Sequence, residues 1–345
     1  MKKVNLAILF GGQSLEHEVS LESAKSVYSL CLKSEKINPV LIHINKKGEW
    51  FLTDNKFFEG NKKGKNIICD FSKGLLCGSK KINIDAAFSL IHGNTGEDGK
   101  LQGMLEILKI PYVGCSVLAS AVSMDKMLTK TLAALNGVPT LPDLIIEKKD
   151  LKNISYIKKE AAKMGYPVFV KPNALGSSVG VSKVKNEKEL LPALKKALKD
   201  DRQVLMEKGV DKAREIVCGI LGDYNEVKAS PCGEVRIKGK HEFYDYSAKY
   251  LDDNGMELLI PAPISKQAEN RIKDYALRVF KSLKGFGLAR ADFFINPKNE
   301  KEIYFCEINV IPGFTSHSLY PRLWEKGGIK PVKLVEKLTE LAFKK

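Results

Sequence analysis

The sequence lacks three patterns, each of which would define a class of protein. No run approaches the roughly 18 consecutive apolar residues that a membrane span needs, so no membrane partner is expected. The 7 Cys are odd in number and include no Cys-x-x-Cys pair, which argues against a disulfide framework or a structural zinc site. The apolar run 4–10 follows two lysines as in a signal peptide. It ends in Gly11-Gly12 rather than in a cleavage site, so we interpret it as a buried strand. The dispersed cysteines fit a reducing cytoplasm, where we expect the protein.

Clustered arginines with interleaved aromatic residues, the pattern of a nucleic-acid-binding surface, are also absent. The net charge is +15, but the basic residues are mostly lysines scattered along predicted helices such as 185–199. Two interpretations are open: a basic face for nucleic acid, and a solvated lysine-rich surface on an enzyme with anionic substrates. We favour the second and expect no nucleic-acid partner.

The segments that are present alternate between strand-like and helix-like patterns from the start. A length of 345 residues suggests two or three domains. The alternation predicts a largely parallel N-terminal sheet, with ligands at the carboxyl ends of its strands. Strands are predicted at 4–10, 39–44, 86–91 and 111–114, and helices at 18–31 and 101–109.

The rest of the chain predicts a small α+β unit followed by a second antiparallel region. A helix at 117–135 ends at Asn136-Gly137, a typical helix stop, and we place the first domain boundary near residue 120. Two helices on a small antiparallel sheet are expected next, from helices at 155–164 and 187–199 and strands at 167–171, 179–184 and 204–207. The last block has predicted strands at 215–222, 227–237, 288–295 and 302–309, and helices at 268–284 and 331–343.

Two predicted strands carry a group of side chains suited to a metal ion. Arg290 and Asp292 share one face of the first strand, and Glu307 and Asn309 share one face of the second. A short connection between the strands predicts a hairpin that brings the two carboxylates and the carboxamide together. Such oxygen ligands suit Mg²⁺ bridging nucleotide phosphates, and Arg290 could stabilise a developing negative charge. The alternative is a hairpin with a surface ion pair.

A second group lies in the glycine- and serine-rich stretch 167–184. An apolar strand ends at Lys171, and the loop that follows contains Gly176, Ser177 and Ser178. Backbone N–H groups and hydroxyls of such a loop can bind phosphates, although a lone loop of this kind is more often only a turn. It is not a Walker A loop, because that motif occurs nowhere in the chain. Lys126, judged alone, would be a solvated helix lysine.

Taken together, the motifs resemble the D-alanine–D-alanine ligase family of the ATP-grasp superfamily. The resemblance runs nearly from end to end, in eight motifs that stand in the family's order. They are GGQSLEHEVSLESA (11–24), FSLIHGNTGEDGKLQGMLE (88–106), SMDKMLTK (123–130), FVKPNALGSSVGVSKV (169–184), EKGVDKAREI (207–216), EFYDYSAKY (242–250), LARADFF (288–294) and CEINVIPGFTSHSLYP (306–321).

The resemblance implies a fold, a set of ATP-binding residues and a metal site. The expected fold is α/β and α+β, a three-domain ATP-grasp architecture with a parallel-sheet domain at 1–120, a lid domain at 121–209 and a catalytic domain at 210–345. Asp292, Glu307 and Asn309 would hold two Mg²⁺ ions, for which Mn²⁺ could substitute. The residues expected to bind ATP are Lys126, Lys171, Ser178, Glu207, Val210, Glu215 and Lys249. Among these, Glu207 would contact the adenine and Glu215 the ribose.

The resemblance also implies where the two amino acids bind. Glu16 would bind the ammonium of the first D-alanine, in a hydrogen-bonded group with Ser177 and Tyr250. His92 would lie near the reacting carboxylate and Ser318 would hold the carboxylate of the second substrate. The oxyanion would be stabilised by Arg290 and the backbone N–H of Gly313. Lys249 and Tyr250 lie in an aromatic segment, 238–257, which we expect to form a lid.

The activity expected from the resemblance is ATP-dependent joining of two D-alanines through a D-alanyl phosphate, for peptidoglycan synthesis and so for cell-wall biogenesis and cell shape. A homodimer is expected. The alternative activities are those of D-alanine–D-serine and D-alanine–D-lactate ligases in the same family. Leu319 stands where relatives that use D-serine often carry a basic residue, and Tyr250 favours an amine acceptor. Val310-Ile311 departs from the family, which commonly has a small hydroxylic residue after the asparagine.

Overall fold

Three separate sheets organise the chain. The computed structural model describes residues 2–177, 179–237 and 256–345. Within these ranges the strands form three sheets, which from the N-terminus to the C-terminus contain seven, four and five strands. This arrangement confirms the predicted combination of α/β and α+β blocks. The boundaries at 120 and 209 stay predictions.

The first sheet has strand order β6-β5-β4-β3-β2-β1-β7, and only its β2-β1-β7 part is parallel. Its strands are β1 Val4–Gly11, β2 Ile37–Ile44, β3 Trp50–Thr53, β4 Lys65–Asp70, β5 Gly74–Cys77, β6 Lys80–Lys81 and β7 Ala86–Ser89. The prediction of a largely parallel sheet was wrong because β3 to β6 add antiparallel hairpins. These strands are only two to six residues long, so each shows little periodicity from which the sequence could identify it. The strand expected at 111–114 is reduced to one bridge between Tyr112 and Ala87.

The carboxyl end of β1 leads into a glycine turn, after which the predicted site residue Glu16 follows. The side chains from Leu6 to Phe10 are fully buried, and α1 (His17–Leu32) packs on the sheet behind them. Gly11 and Gly12 turn the chain with φ near +90°, and a Cβ at Gly11 would lie 2.2 Å from the Ile44 carbonyl oxygen. Glycine is therefore required at this turn, which leads directly to Glu16 at the start of α1.

His43, at the end of β2, is a buried histidine in an aromatic cluster. Its ring packs among Phe10, Phe51 and Phe57, and within the described ranges its Nε2 has no hydrogen-bond partner. Burial, together with the nearby His17, lowers the pKa of His43 to about 4. The fold therefore favours the neutral ring.

We expect this histidine to reduce the free energy of unfolding in acid. A histidine in the unfolded chain has a pKa of about 6.5, so as the pH falls the unfolded state binds the proton first. The stabilisation is complete above that pH and is lost as the pH falls toward 4, a change of about 3 kcal/mol. Urea unfolding at several pH values should show this extra loss in the wild type and not in His43→Phe. Equal losses in the two proteins would contradict the assignment, and His317→Gln, at an exposed position, is the control.

The helix predicted at 117–135 is two helices, α3 (Val117–Met124) and α4 (Lys126–Leu135), after α2 (Lys100–Ile107). The break is at Asp125, whose backbone is extended and whose side chain accepts a hydrogen bond from the N–H of Leu128. An aspartate in this position is a strong N-cap, so the chain starts a new helix there. The break places Lys126 in the first turn of α4, and α4 then ends at Asn136-Gly137 as predicted.

The second sheet is antiparallel throughout, in the order β10-β9-β11-β8. Its strands are β8 Asp143–Glu147, β9 Val168–Pro172, β10 Ser182–Val184 and β11 Gln203–Lys208, and its helices are α5 Ile154–Met164 and α6 Glu187–Asp200. The two predicted helices are confirmed and cover one face of this sheet, around Ile157 and Leu190. Asn186 caps α6 through the N–H of Lys188. Strand β8 was not predicted, and β10 begins later than expected.

The third sheet, in the order β14-β13-β12-β15-β16, is antiparallel and carries the largest apolar core. Its strands are β12 Arg214–Gly222, β13 Val227–Ile237, β14 Met256–Leu259, β15 Gly287–Asn296 and β16 Asn299–Asn309. The helices of this part are α7 Lys266–Ser282, α8 Leu319–Lys326 and α9 Pro331–Ala342. Helix α7 packs on β12 and β13, and α9 reaches back to pack on α1 of the first block. Helix α8 was not predicted; Pro321 lies in its first turn, where proline is tolerated.

Candidate active site

A pocket of about 200 Å³ lies between the second and third sheets. Apolar side chains such as Phe169, Val210 and Phe294 line it together with charged groups. Seven residues expected to bind ATP or metal line this one pocket: Lys126, Lys171, Glu207, Val210, Glu215, Asp292 and Glu307. A cavity with apolar walls and a few convergent charges is typical of a small-molecule site.

Glu207, from the middle of the second sheet, is buried between two lysines. Its Oε1 accepts a hydrogen bond from Lys130 and its Oε2 accepts one from Lys171 at 2.6 Å. Burial alone would raise the pKa of Glu207, yet the charges of Lys171 and Lys130 hold it below its ordinary value. Burial alone would lower the pKa of Lys171, yet the Glu207 charge raises it. The carboxylate is therefore ionised inside the protein.

Lys126, at the start of α4, lies between the glycine-rich loop and the strands that carry the predicted metal ligands. Its Nζ donates to the Leu175 carbonyl oxygen at 2.6 Å and lies 3.8 Å from Glu307 Oε2. Only 12% of its side chain is exposed, so the interpretation of Lys126 as a solvated helix lysine was wrong. The break at Asp125 places Lys126 in the first turn of α4, and its side chain adds positive charge to the pocket beside Glu307.

The predicted hairpin is confirmed. In the register of β15 and β16, Asp292 lies opposite Glu307 and Arg290 lies opposite Asn309. Phe293 and Ile308, on the other face, are buried in the core. Arg290 donates to both oxygens of Asp292, each at 2.7 Å, in a bidentate pair.

The residues of this hairpin fit a magnesium ion that shares its ligands with phosphates. Within residues 2–177, 179–237 and 256–345, no three His, Cys, Asp or Glu side chains form a closed cage for a metal. Mg²⁺ is usually held by one or two carboxylates with substrate phosphates and water, rather than by an all-protein cage. The Asp292 and Glu307 carboxylates line the pocket, and the Asn309 carboxamide lies two residues after Glu307 on the same strand, so the set matches that pattern.

Val310 and Ile311, which depart from the family pattern, keep the local backbone bonds. The Ile311 N–H donates to Asn309 Oδ1 at 2.9 Å, and the Ile311 carbonyl oxygen lies 3.0 Å from His92 Nδ1. Both side chains are buried in the main core. The apolar residues therefore replace hydroxyls with packing and leave the asparagine oriented by the backbone.

His92 lies in a buried polar group that also contains Glu97. Its Nδ1 lies 3.7 Å from Glu97 Oε1, and its Nε2 lies 3.5 Å from Ser23 Oγ. Burial alone would lower the pKa of His92, but the Glu97 and Glu16 carboxylates raise it above its ordinary value. Burial raises the pKa of Glu97. Glu97 was not identified from the sequence, although it stands five residues after the histidine in one motif.

Glu16 is joined to the glycine-rich loop by a hydrogen bond from Ser177 Oγ to its Oε1. Two glycines make room for its carboxylate: a Cβ at Gly93 would lie 2.9 Å from Oε2, and one at Gly176 would lie 3.8 Å from it. The same loop binds Lys126 through the Leu175 carbonyl oxygen. The Glu16 carboxylate, which can accept hydrogen bonds from an ammonium group, is therefore bonded to the same loop as Lys126.

Gly313 and Ser318 form a further corner. A Cβ at Gly313 would lie 2.8 Å from Ser318 Oγ. Ser318 precedes α8, but its Oγ accepts from the Thr315 N–H at 2.9 Å instead of capping the helix. The first turn of α8 therefore has no side-chain cap, and uncapped N–H groups at a helix start are able to bind an anion. Ser178, Lys249 and Tyr250 lie outside the described residues.

The sequence profile of the D-ala D-ala ligase N-terminus matches residues 5–115, and that of the C-terminus matches residues 132–340. The chain belongs to the D-alanine–D-alanine ligase family. It is therefore an ATP-dependent ligase of the ATP-grasp type, and the predicted fold class is confirmed. A D-alanine–D-alanine ligase of Thermoanaerobacter sp. is 44% identical over 99% of this chain and 97% of its own length. D-alanine–D-alanine ligase A of Escherichia coli is 38% identical over 100% and 97%, respectively.

Solved structures of the family share the fold. The VanG D-Ala:D-Ser ligase of Enterococcus faecalis superposes with a TM-score of 0.87 at 34% identity, covering 99% of this chain and 100% of that one. D-alanyl-alanine synthetase A of Vibrio cholerae gives 0.87 at 31% identity, covering 99% of each chain. None of the helices in the described part of the chain is long and apolar enough to cross a membrane.

Proposed function

We propose that this ligase joins two D-alanines through a D-alanyl phosphate, using ATP, and supplies D-alanyl-D-alanine for peptidoglycan synthesis. The observation that carries the proposal is the loop 173–177. It is bonded to Lys126 at Leu175 and to Glu16 at Ser177, so a phosphate site and an ammonium site meet. A substrate with an ammonium beside a carboxylate, an amino acid, spans these two points. The full-length relatives named as D-alanine–D-alanine ligases support the choice of substrate.

The first step is a phosphoryl transfer to the carboxylate of the first D-alanine. Glu16 holds the ammonium, and the carboxylate attacks the γ-phosphoryl group of ATP with release of ADP. Lys126 and Lys171 offset the repulsion between the two anions, as positioning and charge neutralisation dominate such reactions. Bound at Asp292, Glu307 and Asn309, Mg²⁺, or Mn²⁺ in its place, would neutralise phosphate charge.

The second step is attack of the second D-alanine's amine on the acyl phosphate. Ser318 and the start of α8 hold the acceptor's carboxylate, and His92 lies at the reacting centre. The carbonyl oxygen becomes an oxyanion that Arg290 and the Gly313 N–H stabilise. Collapse of the tetrahedral adduct breaks the C–O bond to phosphate and leaves the dipeptide. Water must be excluded, because an acyl phosphate hydrolyses readily.

The second substrate distinguishes the related activities. D-serine is the alternative acceptor that the structural neighbour from Enterococcus faecalis favours, since that protein is a D-Ala:D-Ser ligase. Here Leu319 is buried against Val217, Val235 and Leu323, so it adds no charge beside Ser318. We therefore propose D-alanine as the acceptor. We further propose a cytoplasmic location and a homodimer, both on the ground of the family resemblance.

We expect ADP release to require both Mg²⁺ and D-alanine. The measurement is ATP turnover by the purified chain against D-alanine, L-alanine, D-serine and D-lactate, with the products identified by mass. D-alanyl-D-alanine should be the main product, because Glu16 and Ser318 fix opposite ends of a D,D pair. Equal turnover of L-alanine, or turnover without dipeptide, would contradict the proposal. D-alanyl-D-serine as the main product would instead identify the enzyme as a D-alanine–D-serine ligase.

A further inference from the structure

Lys130 is a buried lysine that contacts two residues lining the nucleotide pocket, Leu141 and Glu207. It stands one turn after Lys126 on α4, so both lysines lie on one face of the helix. Lys126 bonds to the Leu175 carbonyl oxygen of the glycine-rich loop, and Lys130 bonds to Glu207. Only 3% of the Lys130 side chain is exposed.

The ammonium group of Lys130 has a protein acceptor for each of its three N–H donors. Its three acceptors are Glu207 Oε1, Asp143 Oδ2 at 2.5 Å and the Leu141 carbonyl oxygen at 3.1 Å. A lysine has three N–H donors, so none is left for a ligand. Lys130 therefore acts through Glu207, and Asp143 and Leu141 fix its position from the β8 side.

The other oxygen of Glu207, Oε2, accepts a hydrogen bond from Lys171. Lys171 lies 2.6 Å from Glu207 Oε2 and is also proposed to bind ATP phosphates. When Lys171 turns to a phosphate, Oε2 is released to the pocket while Lys130 stays on Oε1. Lys130 is then the counter-ion that keeps the buried carboxylate charged and oriented.

We propose that Lys130 is a positioning residue that sets the nucleotide specificity of the enzyme. By fixing Glu207 as an ionised acceptor, it makes the pocket favour a base with an exocyclic amino group over a base with an oxo group. The inference rests on the proposed contact between Glu207 and the base. An ionised carboxylate only accepts hydrogen bonds, so it binds the N–H of a 6-aminopurine and repels the oxygen of a 6-oxopurine.

The charges around Glu207 support this assignment to Lys130. From α4 and β9 it faces Lys130 and Lys171, from β8 Asp143 lies opposite it in the strand register, and from β16 the thiol of Cys306 lies nearby. Without Lys130, the one cation still bonded to Glu207 within the described residues is Lys171, for which the phosphates compete. A buried carboxyl in that position gains a proton or turns away, and a protonated carboxyl can donate to an oxo group.

The test compares the equilibrium binding of three nucleotides to the full chain with Mg²⁺ and no amino acid. ATP carries the 6-amino group, ITP carries a 6-oxo group, and purine riboside triphosphate carries neither. The wild type should bind ATP most tightly and ITP most weakly. Lys130→Met should lower the ATP-over-ITP preference about 10-fold or more, because a site built around a hydrogen-bond partner discriminates by that pairing. Glu207→Gln should shift the preference in the same direction.

Two further variants separate specificity from simple loss of structure. Lys130→Arg keeps the charge and should keep the preference for ATP, even if all three nucleotides bind more weakly. Lys163→Met removes an exposed lysine paired with Glu160 on α5 and should change nothing. If Lys130→Met does not fold, Lys130→Gln, which keeps an N–H donor without charge, takes its place and should show the same loss of preference.

Weakening of all three nucleotides by one common factor in Lys130→Met would overturn the proposal, as would a wild type without preference for ATP over ITP. The binding experiment contains no amino acid, so its result does not depend on which dipeptide the enzyme forms. Failure to form D-alanyl-D-alanine would therefore contradict the proposed function and leave the assignment of Lys130 standing.

Discussion

Replacing Arg290 with alanine should lower the rate of ligation about 10²–10³-fold, the usual cost of losing one oxyanion donor, and leave ATP affinity nearly unchanged. The guanidinium stands opposite Asn309 across β15 and β16 and is held by both oxygens of Asp292. Its charge is needed most when the oxyanion develops, so the loss belongs to the transition state. Turnover at saturating substrate and nucleotide affinity, measured on the same protein, separate the two effects.

Two controls sharpen the Arg290 experiment. Arg278→Ala removes a half-exposed arginine that pairs with Asp274 on α7, and it should leave both quantities unchanged. Arg290→Lys keeps a charge but not the bidentate geometry, so it should fall between the wild type and the alanine variant. Weakened ATP binding with normal turnover at saturation would show that Arg290 serves the nucleotide and not the oxyanion.

Replacing Glu307 with glutamine should lower turnover on the order of 10³-fold and raise the Mg²⁺ concentration needed for half-maximal rate. Glu307 lies opposite Asp292 in the hairpin and 3.8 Å from Lys126, so it would supply one of the two carboxylates of the proposed metal site. The amide keeps the shape and removes the charge. A titration of activity with Mg²⁺ measures both changes.

Glu302→Gln is the matched control for this prediction. Glu302 lies on the same strand but bonds to Asn296 and Asn299 at the hairpin turn, away from the pocket. Its loss should affect neither rate nor Mg²⁺ dependence. An unaltered Mg²⁺ requirement in Glu307→Gln would mean that the metal is held elsewhere.

The sequence predicted the elements whose side chains repeat with a clear period. The β15–β16 hairpin follows from alternating apolar and polar residues and a short turn. Its register brings together the four predicted site residues, Arg290, Asp292, Glu307 and Asn309. The strands from β3 to β6 were missed because each has only two to six residues and depends on pairing with its neighbours more than on a pattern of its own. The break at Asp125 was missed because the apolar pattern of the two helices is continuous through it.

The site was predicted through its motifs, and the residues that support it were not. Lys130 has the spacing of a second pocket lysine on α4, yet one turn from Lys126 is also the spacing of a solvated face. Only the meeting of α4 with Glu207 and Asp143 across three elements decides between the two. Glu97 is similar: its burial beside His92 depends on packing that no local pattern encodes.

The most direct test of the D-alanyl phosphate is the fate of carboxylate oxygen. D-alanine labelled with ¹⁸O in its carboxylate should give D-alanyl-D-alanine and, in each turnover, one labelled oxygen in the released phosphate. The label moves because a carboxylate oxygen attacks the γ-phosphoryl group and leaves with it when the amine attacks the carbonyl carbon. Mass spectrometry of both products measures this. Unlabelled phosphate beside the dipeptide, or labelled phosphate without it, would contradict the account.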